Sequence, residues 1–138
     1  MADQINFELV SPEKLLLSEP VEMVVVPGVE GDFGVLPGHA PFVSNVRPGV
    51  IAVFAESKVV QRIFVAGGFA EVTPERCTVL ADEATPLEQV TAEQLVERQR
   101  TAERDLVDAA TDAEKAAAQK ALAVAKDLQR AQAFYAGR

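Results

Sequence analysis

Few residues in this sequence have the type and spacing that chemistry requires. His39 is the only histidine and stands between Gly38 and Ala40-Pro41. Acyl-transfer hydrolysis needs a nucleophile, a base and an orienting acid held within reach of one another. No nucleophile or orienting acid is near His39 in sequence, so it reads as a structural or interface hydrogen-bonder in a loop. Cys77, the only cysteine, lies in the strand-like run Arg76-Cys77-Thr78-Val79 and reads as a small core thiol. A single cysteine makes no internal disulfide, and no Cys/His cluster is present to bind zinc, so no metal is expected. The acidic pairs Glu30/Asp32 and Asp82-Glu83 fall in turn-rich sequence, where solvated carboxylates are the ordinary case. Gly28, Gly31, Gly34 and Gly38 are dense but wrongly spaced for a dinucleotide fingerprint, and they read as tight turns between strands. Gly-Lys-Ser and Gly-Lys-Thr are both absent, so there is no phosphate loop and no cofactor is expected. These residues favour a binding or transmission part over a free-standing enzyme.

One charged constellation carries more. Successive helical residues advance by roughly 100°, which brings Lys115, Lys126 and Arg130 within roughly 60° of one another and leaves Lys120 well away. A basic stripe of this kind is either a solvated helix face or a docking face for an acidic partner. It is unusual on a chain with 13 Lys and Arg against 21 Asp and Glu, a formal net charge of −8. That balance excludes nucleic-acid binding through a basic face.

The elements that position these residues divide near Pro86. All 8 prolines and all glycines but Gly137 lie at or before it, whereas 14 of the 52 residues from Leu87 onward are alanine. Two domains are therefore expected, over residues 1–86 and 87–138. In the first, Ile5, Phe7 and Leu9 alternate with polar neighbours at the period of a half-buried strand. Further β-rich runs cover Val21 to Val26, Val50 to Phe54, Val59 to Val65 and Thr78 to Leu80. Pro-Gly or Gly-Gly pairs punctuate them, which predicts an antiparallel sandwich or barrel. The second part predicts an antiparallel two-helix hairpin. Thr91 and Gln94 form a capping box, with Val90 and Leu95 as its hydrophobic staple, and Thr111 with Glu114 repeats the box. Leu95, Gln99, Ala102 and Leu106 would face Ala117, Ala121, Leu128 and Tyr135, with Val124 and Ala125 beside them. Small side chains on that seam permit close approach and bury little.

Met1-Ala2-Asp3-Gln4 has no basic region followed by an apolar run, so neither a secretory signal nor a transit peptide is expected. The longest apolar run, Val50 to Ala55, is far short of the roughly 20 residues of a spanning helix.

Four segments, in order and at their spacing, resemble a known family. They are Glu30-Gly31-Asp32-Phe33-Gly34-Val35-Leu36-Pro37-Gly38-His39-Ala40-Pro41, then Arg47-Pro48-Gly49, Val65-Ala66-Gly67-Gly68-Phe69-Ala70-Glu71-Val72 and Val79-Leu80-Ala81-Asp82. Together they resemble the epsilon subunit of F-type ATP synthases, whose mitochondrial counterpart is called delta. The resemblance is specific over residues 1–86 and architectural beyond. It implies a sandwich of about ten strands followed by a helical hairpin, in a non-catalytic rotor subunit that binds gamma and the ring of c subunits and helps couple proton flow to ATP synthesis. It implies that Glu30, Gly31 and Asp32 face the c-ring, and that His39, Ala40, Pro41 and Phe42 lie near gamma. It also gives Lys115, Lys126 and Arg130 a partner, an acidic segment of the catalytic beta subunits, which an extended hairpin meets to block ATP hydrolysis. The location implied is peripheral, on the cytoplasmic face of the bacterial inner membrane, with membrane association only through the complex. Some members bind ATP through an apolar residue followed by Asp-x-x-Arg-Ala. Here Thr91, Gln94 and Leu95 replace Asp, Arg and Ala, which removes a bidentate phosphate donor, so weak or no ATP binding is expected. From the residues alone, the competing readings are a ligand-binding sandwich with an oligomerising hairpin and a hydrolase built on His39.

Overall fold

The computed structural model describes residues 4–137; Met1 to Asp3, the first residues of the segment read for a signal, and Arg138 lie outside it. The chain forms two compact units, Met1–Pro86 and Leu87–Arg138. Ten strands make up the first: β1 (Ile5–Val10), β2 (Leu15–Val21), β3 (Met23–Gly28), β4 (Gly31–Val35), β5 (Phe42–Val46), β6 (Gly49–Ala55), β7 (Lys58–Val65), β8 (Gly68–Val72), β9 (Arg76–Ala81) and β10 (Ala84–Pro86).

Their pairing order is β10-β7-β6-β3-β5-β8-β9-β1-β2, with β4 on the free side of β3. The two halves of this sheet are joined at β3–β5 by one residue pair, Gly28 and Val46, and fold over a common core. Alternation fills that core. Ile5, Phe7 and Leu9 of β1, Val24 and Val26 of β3, Ile51 and Val53 of β6, and Cys77, Val79 and Ala81 of β9 are all buried in one cluster. A fully buried Val, Leu or Phe contributes about 1.5–3 kcal/mol relative to exposure, so this alternation is the main stabiliser of the unit.

The expected sandwich of about ten strands followed by two helices is present, with local differences. The run Val21 to Val26 is broken at Glu22, which ends one strand and begins the next. Gly31 and Gly34 are strand residues of β4 rather than turn residues. One pairing departs from the antiparallel rule, since β1 runs parallel to β9 in the register Asn6–Arg76 through Val10–Leu80. A first strand inserted between β2 and β9 is antiparallel to β2 and is left parallel to its other neighbour.

The β6–β7 hairpin closes through Glu56-Ser57, both at positive φ (54° and 64°), between the paired residues Ala55 and Lys58. This is the backbone of a type I′ turn. The Glu22 carboxylate accepts from the Ser57 amide at 3.1 Å, so the side chain at the β2–β3 break caps the turn.

In the second unit a short 3-10 turn (Leu87–Gln89) leads into α1 (Ala92–Asp108), and α2 follows (Asp112–Tyr135). Thr91 caps α1 with a full reciprocal box: Gln94 N donates to Thr91 Oγ1 at 3.1 Å, and Thr91 N donates to Gln94 Oε1 at 2.9 Å. Val90 and Leu95 are both buried, as a staple requires. Thr111 accepts from Glu114 N in the same way, but the return bond runs from the Thr111 hydroxyl to the Glu114 carboxylate, so the second box is only half of one. The buried stripe of α2 passes through Ala118, Val124, Ala125 and Leu128. Leu128, Val124 and Ala125 of the expected seam are buried, whereas Ala117 and Ala121 are exposed and Ala118 is buried instead.

Candidate functional site

The tight hairpin linking β3 to β4 carries Val29 and Glu30 at its tip, both exposed. Gly28 pairs with Gly31, and Gly31 holds φ at +135°, a conformation that side chains rarely adopt. The tip is fixed from outside. Val29 N donates to the Asn45 carbonyl at 3.1 Å, and Arg47 N donates to the Pro27 carbonyl at 2.9 Å. The Arg47 guanidinium donates through Nη1 to the Gly28 carbonyl and through Nη2 to Asp32 Oδ1, the latter at 2.6 Å. Of the three residues expected at this surface, Glu30 is the exposed charge, Gly31 closes the turn at positive φ, and Asp32 is paired with Arg47.

His39 to Phe42 lie at the opposite end of β5. Val46 pairs with Gly68 near the tip while Phe42 pairs with Val72, so about 13 Å of strand separates the two ends. The loop is held by Gly38 N donating to the Pro74 carbonyl at 2.8 Å and His39 N donating to the Leu36 carbonyl at 3.1 Å. His39 Nδ1 donates to the Ala40 carbonyl at 2.7 Å. Its ring is 6.3 Å from Phe42, and Phe42 stands edge-on to Phe33 at 5.1 Å. The structure does not bring the tip and this loop together; they are two surfaces.

A third surface escaped the sequence reading. On the outward side of the sheet Phe69 pairs with Leu80, Leu80 with Val10, and Val10 with Leu15. The result is an apolar row across four strands, with Phe69, Leu80 and Leu15 at 37%, 50% and 56% exposure. The adjacent outward row is Val43, Glu71, Thr78, Glu8 and Ser18. It is mostly polar, and its Thr78 hydroxyl donates to Glu8 at 3.2 Å. An apolar row bordered by polar residues is the composition of a protein-contact surface. Of the four, Leu80 alone falls in a run read as β-rich, and only the register aligns them.

In the helical unit Lys115, Lys126 and Arg130 are exposed along one side of α2, and Arg130 is ion-paired with Asp127. Thr91 and Gln94 spend their side chains on the cap, and Leu95 is buried. A groove of about 530 Å³ lies along the helices, lined by Glu93, Gln94, Glu97, Arg98, Thr101, Ala102, Asp105 and Ala121. Its size is within the range of small-molecule sites. Its three carboxylates against one guanidinium oppose a polyphosphate.

Burial pushes the Cys77 thiol up to about 12, in keeping with a core thiol rather than a nucleophile. Among the described residues no group of His, Cys, Asp and Glu could hold a metal ion, and no helix is long and apolar enough to cross a membrane.

Comparison with known proteins follows the same lines. Residues 4–87 match the family described as ATP synthase, Delta/Epsilon chain, beta-sandwich domain. An ATP synthase epsilon chain of Rhodospirillum rubrum is 59% identical over 128 residues, covering 93% of this chain and 96% of that one. Its counterpart in Paramagnetospirillum magneticum is 54% identical over the same length and shares. In the Euglena gracilis mitochondrial ATP synthase OSCP/F1/c-ring structure, one chain superposes with a TM-score of 0.73 at 29% identity, covering 94% of this chain and 81% of that one. A chain of the Tetrahymena thermophila mitochondrial ATP synthase central stalk/c-ring structure shares the fold, with a TM-score of 0.65 at 16% identity, covering 93% and 96%.

Proposed function

The chain belongs to the ATP synthase epsilon family, a non-catalytic subunit of that enzyme, and from that premise we propose that it is a rotor part that couples proton flow to ATP synthesis. In this reading the apolar row and the His39 to Phe42 loop bind gamma, and the Glu30 tip rests on the c-ring. The Lys115, Lys126 and Arg130 stripe supplies a face for an acidic segment of the catalytic beta subunits, through which the hairpin restrains ATP hydrolysis. The complex works at the cytoplasmic face of a bacterial inner membrane, with which this subunit associates only through its partners.

The observation that carries the reading is the uncovered apolar row Phe69–Leu80–Val10–Leu15. Leaving such a row in water forgoes about 25 cal/mol for each Å² it could bury, which a standing partner recovers. The Euglena relative supports the choice of partner, since its structure contains F1 and the c-ring. The acidic tip fits polar loops that carry basic residues, in the manner that sets orientation and on-rate more than affinity.

The test is capture of purified gamma by the full chain. Leu80→Glu, which places a charge in the middle of the row, is expected to weaken gamma binding by about tenfold or more without unfolding the chain, because Leu80 points outward. Undiminished capture by both Leu80→Glu and Phe69→Glu would overturn the assignment of this face.

A further inference from the structure

We propose that Arg47 is a positioning residue for the tip, a staple that sets the angle at which Glu30 is presented; this rests on the reading of the tip as the c-ring contact. Arg47 sits on the connection between β5 and β6, outside the hairpin it holds. Its planar guanidinium reaches one partner on each strand of that hairpin, the Gly28 carbonyl on β3 and the Asp32 carboxylate on β4. Gly28 and Asp32 lie at the base of the turn, one register step apart, so the fork closes the two strands just below the exposed residues. The backbone on either side of Arg47 adds to the grip: its own amide bonds to Pro27, and the Asn45 carbonyl accepts from Val29.

The geometry has two effects. It restrains a hairpin whose outer strand, β4, has β3 as its only sheet partner among the described residues. It also cancels the charge of Asp32 locally, so among the described residues the tip presents one uncompensated carboxylate, Glu30, rather than an acidic patch. The Arg47 and Asp32 side chains are 42% and 60% exposed, so as a bare ion pair the contact is worth little in water. Its use is directional. A rigid fork with two partners fixes an orientation, which a lysine ammonium, a single point charge, does not.

The test uses the full chain with Arg47→Ala, Arg47→Lys and Glu30→Gln. Amide hydrogen exchange is read at Val29 against Ile51 in the core, and binding is read against purified detergent-solubilised c-ring. Arg47→Ala is expected to speed exchange at Val29 by about fivefold or more with Ile51 unchanged, the scale of one ordinary lost hydrogen bond. Arg47→Lys should fall between, and both Arg47→Ala and Glu30→Gln should weaken ring binding several-fold. Unchanged exchange at Val29, or equal acceleration at Val29 and Ile51, would overturn the positioning role. So would faster Val29 exchange with ring binding intact while Glu30→Gln weakens it, although the contact reading would then stand. If Glu30→Gln and Arg47→Ala both bind the ring as the wild type does, the contact reading fails and the positioning role with it.

Discussion

Thr91 and Gln94 are each engaged by the other across the α1 cap. Their side chains hold a helix end instead of facing a ligand, and the neighbouring groove is lined by Glu93, Glu97 and Asp105 with Arg98. Calorimetric titration of the full chain with ATP is expected to show no low-micromolar binding; a saturating isotherm in that range would contradict this reading. Cys77 gives a second prediction at the same scale. Its native thiol is raised from 9.0 to about 12 by burial, so the folded chain keeps a proton that the unfolded chain releases. Stability is therefore unaffected by this group below 9.0 and falls as pH rises through the window to about 12, by about 1.4 kcal/mol per pH unit at most. Denaturant titrations between these limits should show a shallower alkaline loss in Cys77→Ala than in the wild type, though from a lower starting stability. Single residues also mark the limit of sequence reading. Cys77 was legible because its neighbours spell a strand, and the Thr91 box because capping is local. The Arg47 fork was not, since Gly28, Asp32 and Arg47 are joined only by the fold.

Hairpins and helices show the same division. The first strand was legible from strict alternation and α1 from its cap, whereas β4 hid behind Gly31 and Gly34, which read as turns until β3 was seen to pair with them. The apolar row is a property of four registers at once and has no signature in any one strand. In α2 the larger residues Val124 and Leu128 were legible and are buried, whereas the run of alanines spreads the period and Ala118 is buried where Ala117 was expected. The β6–β7 turn gives this scale its prediction. Glu56 and Ser57 both occupy the left-handed region, which costs an L-residue about 1–2 kcal/mol. The double substitution Glu56→Asn with Ser57→Gly keeps the Ser57 position's amide for Glu22 and relieves that cost. After the added chain entropy of glycine, a net gain of about 0.5–1 kcal/mol is expected, seen as a rise of a few degrees in Tm.

For the whole molecule, the net charge of −8 resolves into −7 over residues 1–86 and −1 over residues 87–138. The acidic balance belongs to the sandwich, and the near-neutral helical part carries Lys115, Lys126 and Arg130 along one side of α2. The buried core cluster lies entirely within Ile5 to Ala81, so the first unit contains its own stabilisation. A chain ending at Pro86 is expected to fold and to bind gamma with unchanged affinity. In the assembled complex, loss of the helices is expected to raise ATP hydrolysis severalfold, and equal rates for the full and shortened chains would remove the inhibitory role proposed for the hairpin.

The parallel pairing of β1 with β9 also fixes an order of events in the making of this protein. Residues 6 to 10 find partners at 76 to 80, so a nascent chain that has exposed only its first 70 residues has an open sheet in which β1 is paired with β2 but not with β9. Contacts this distant in sequence slow folding and leave apolar edges uncovered while they wait. The sandwich therefore closes late, once β9 is available and nearly all of it has been synthesised. The helices then emerge behind a finished domain, and the subunit reaches its assembly either without a docking face or with a complete one.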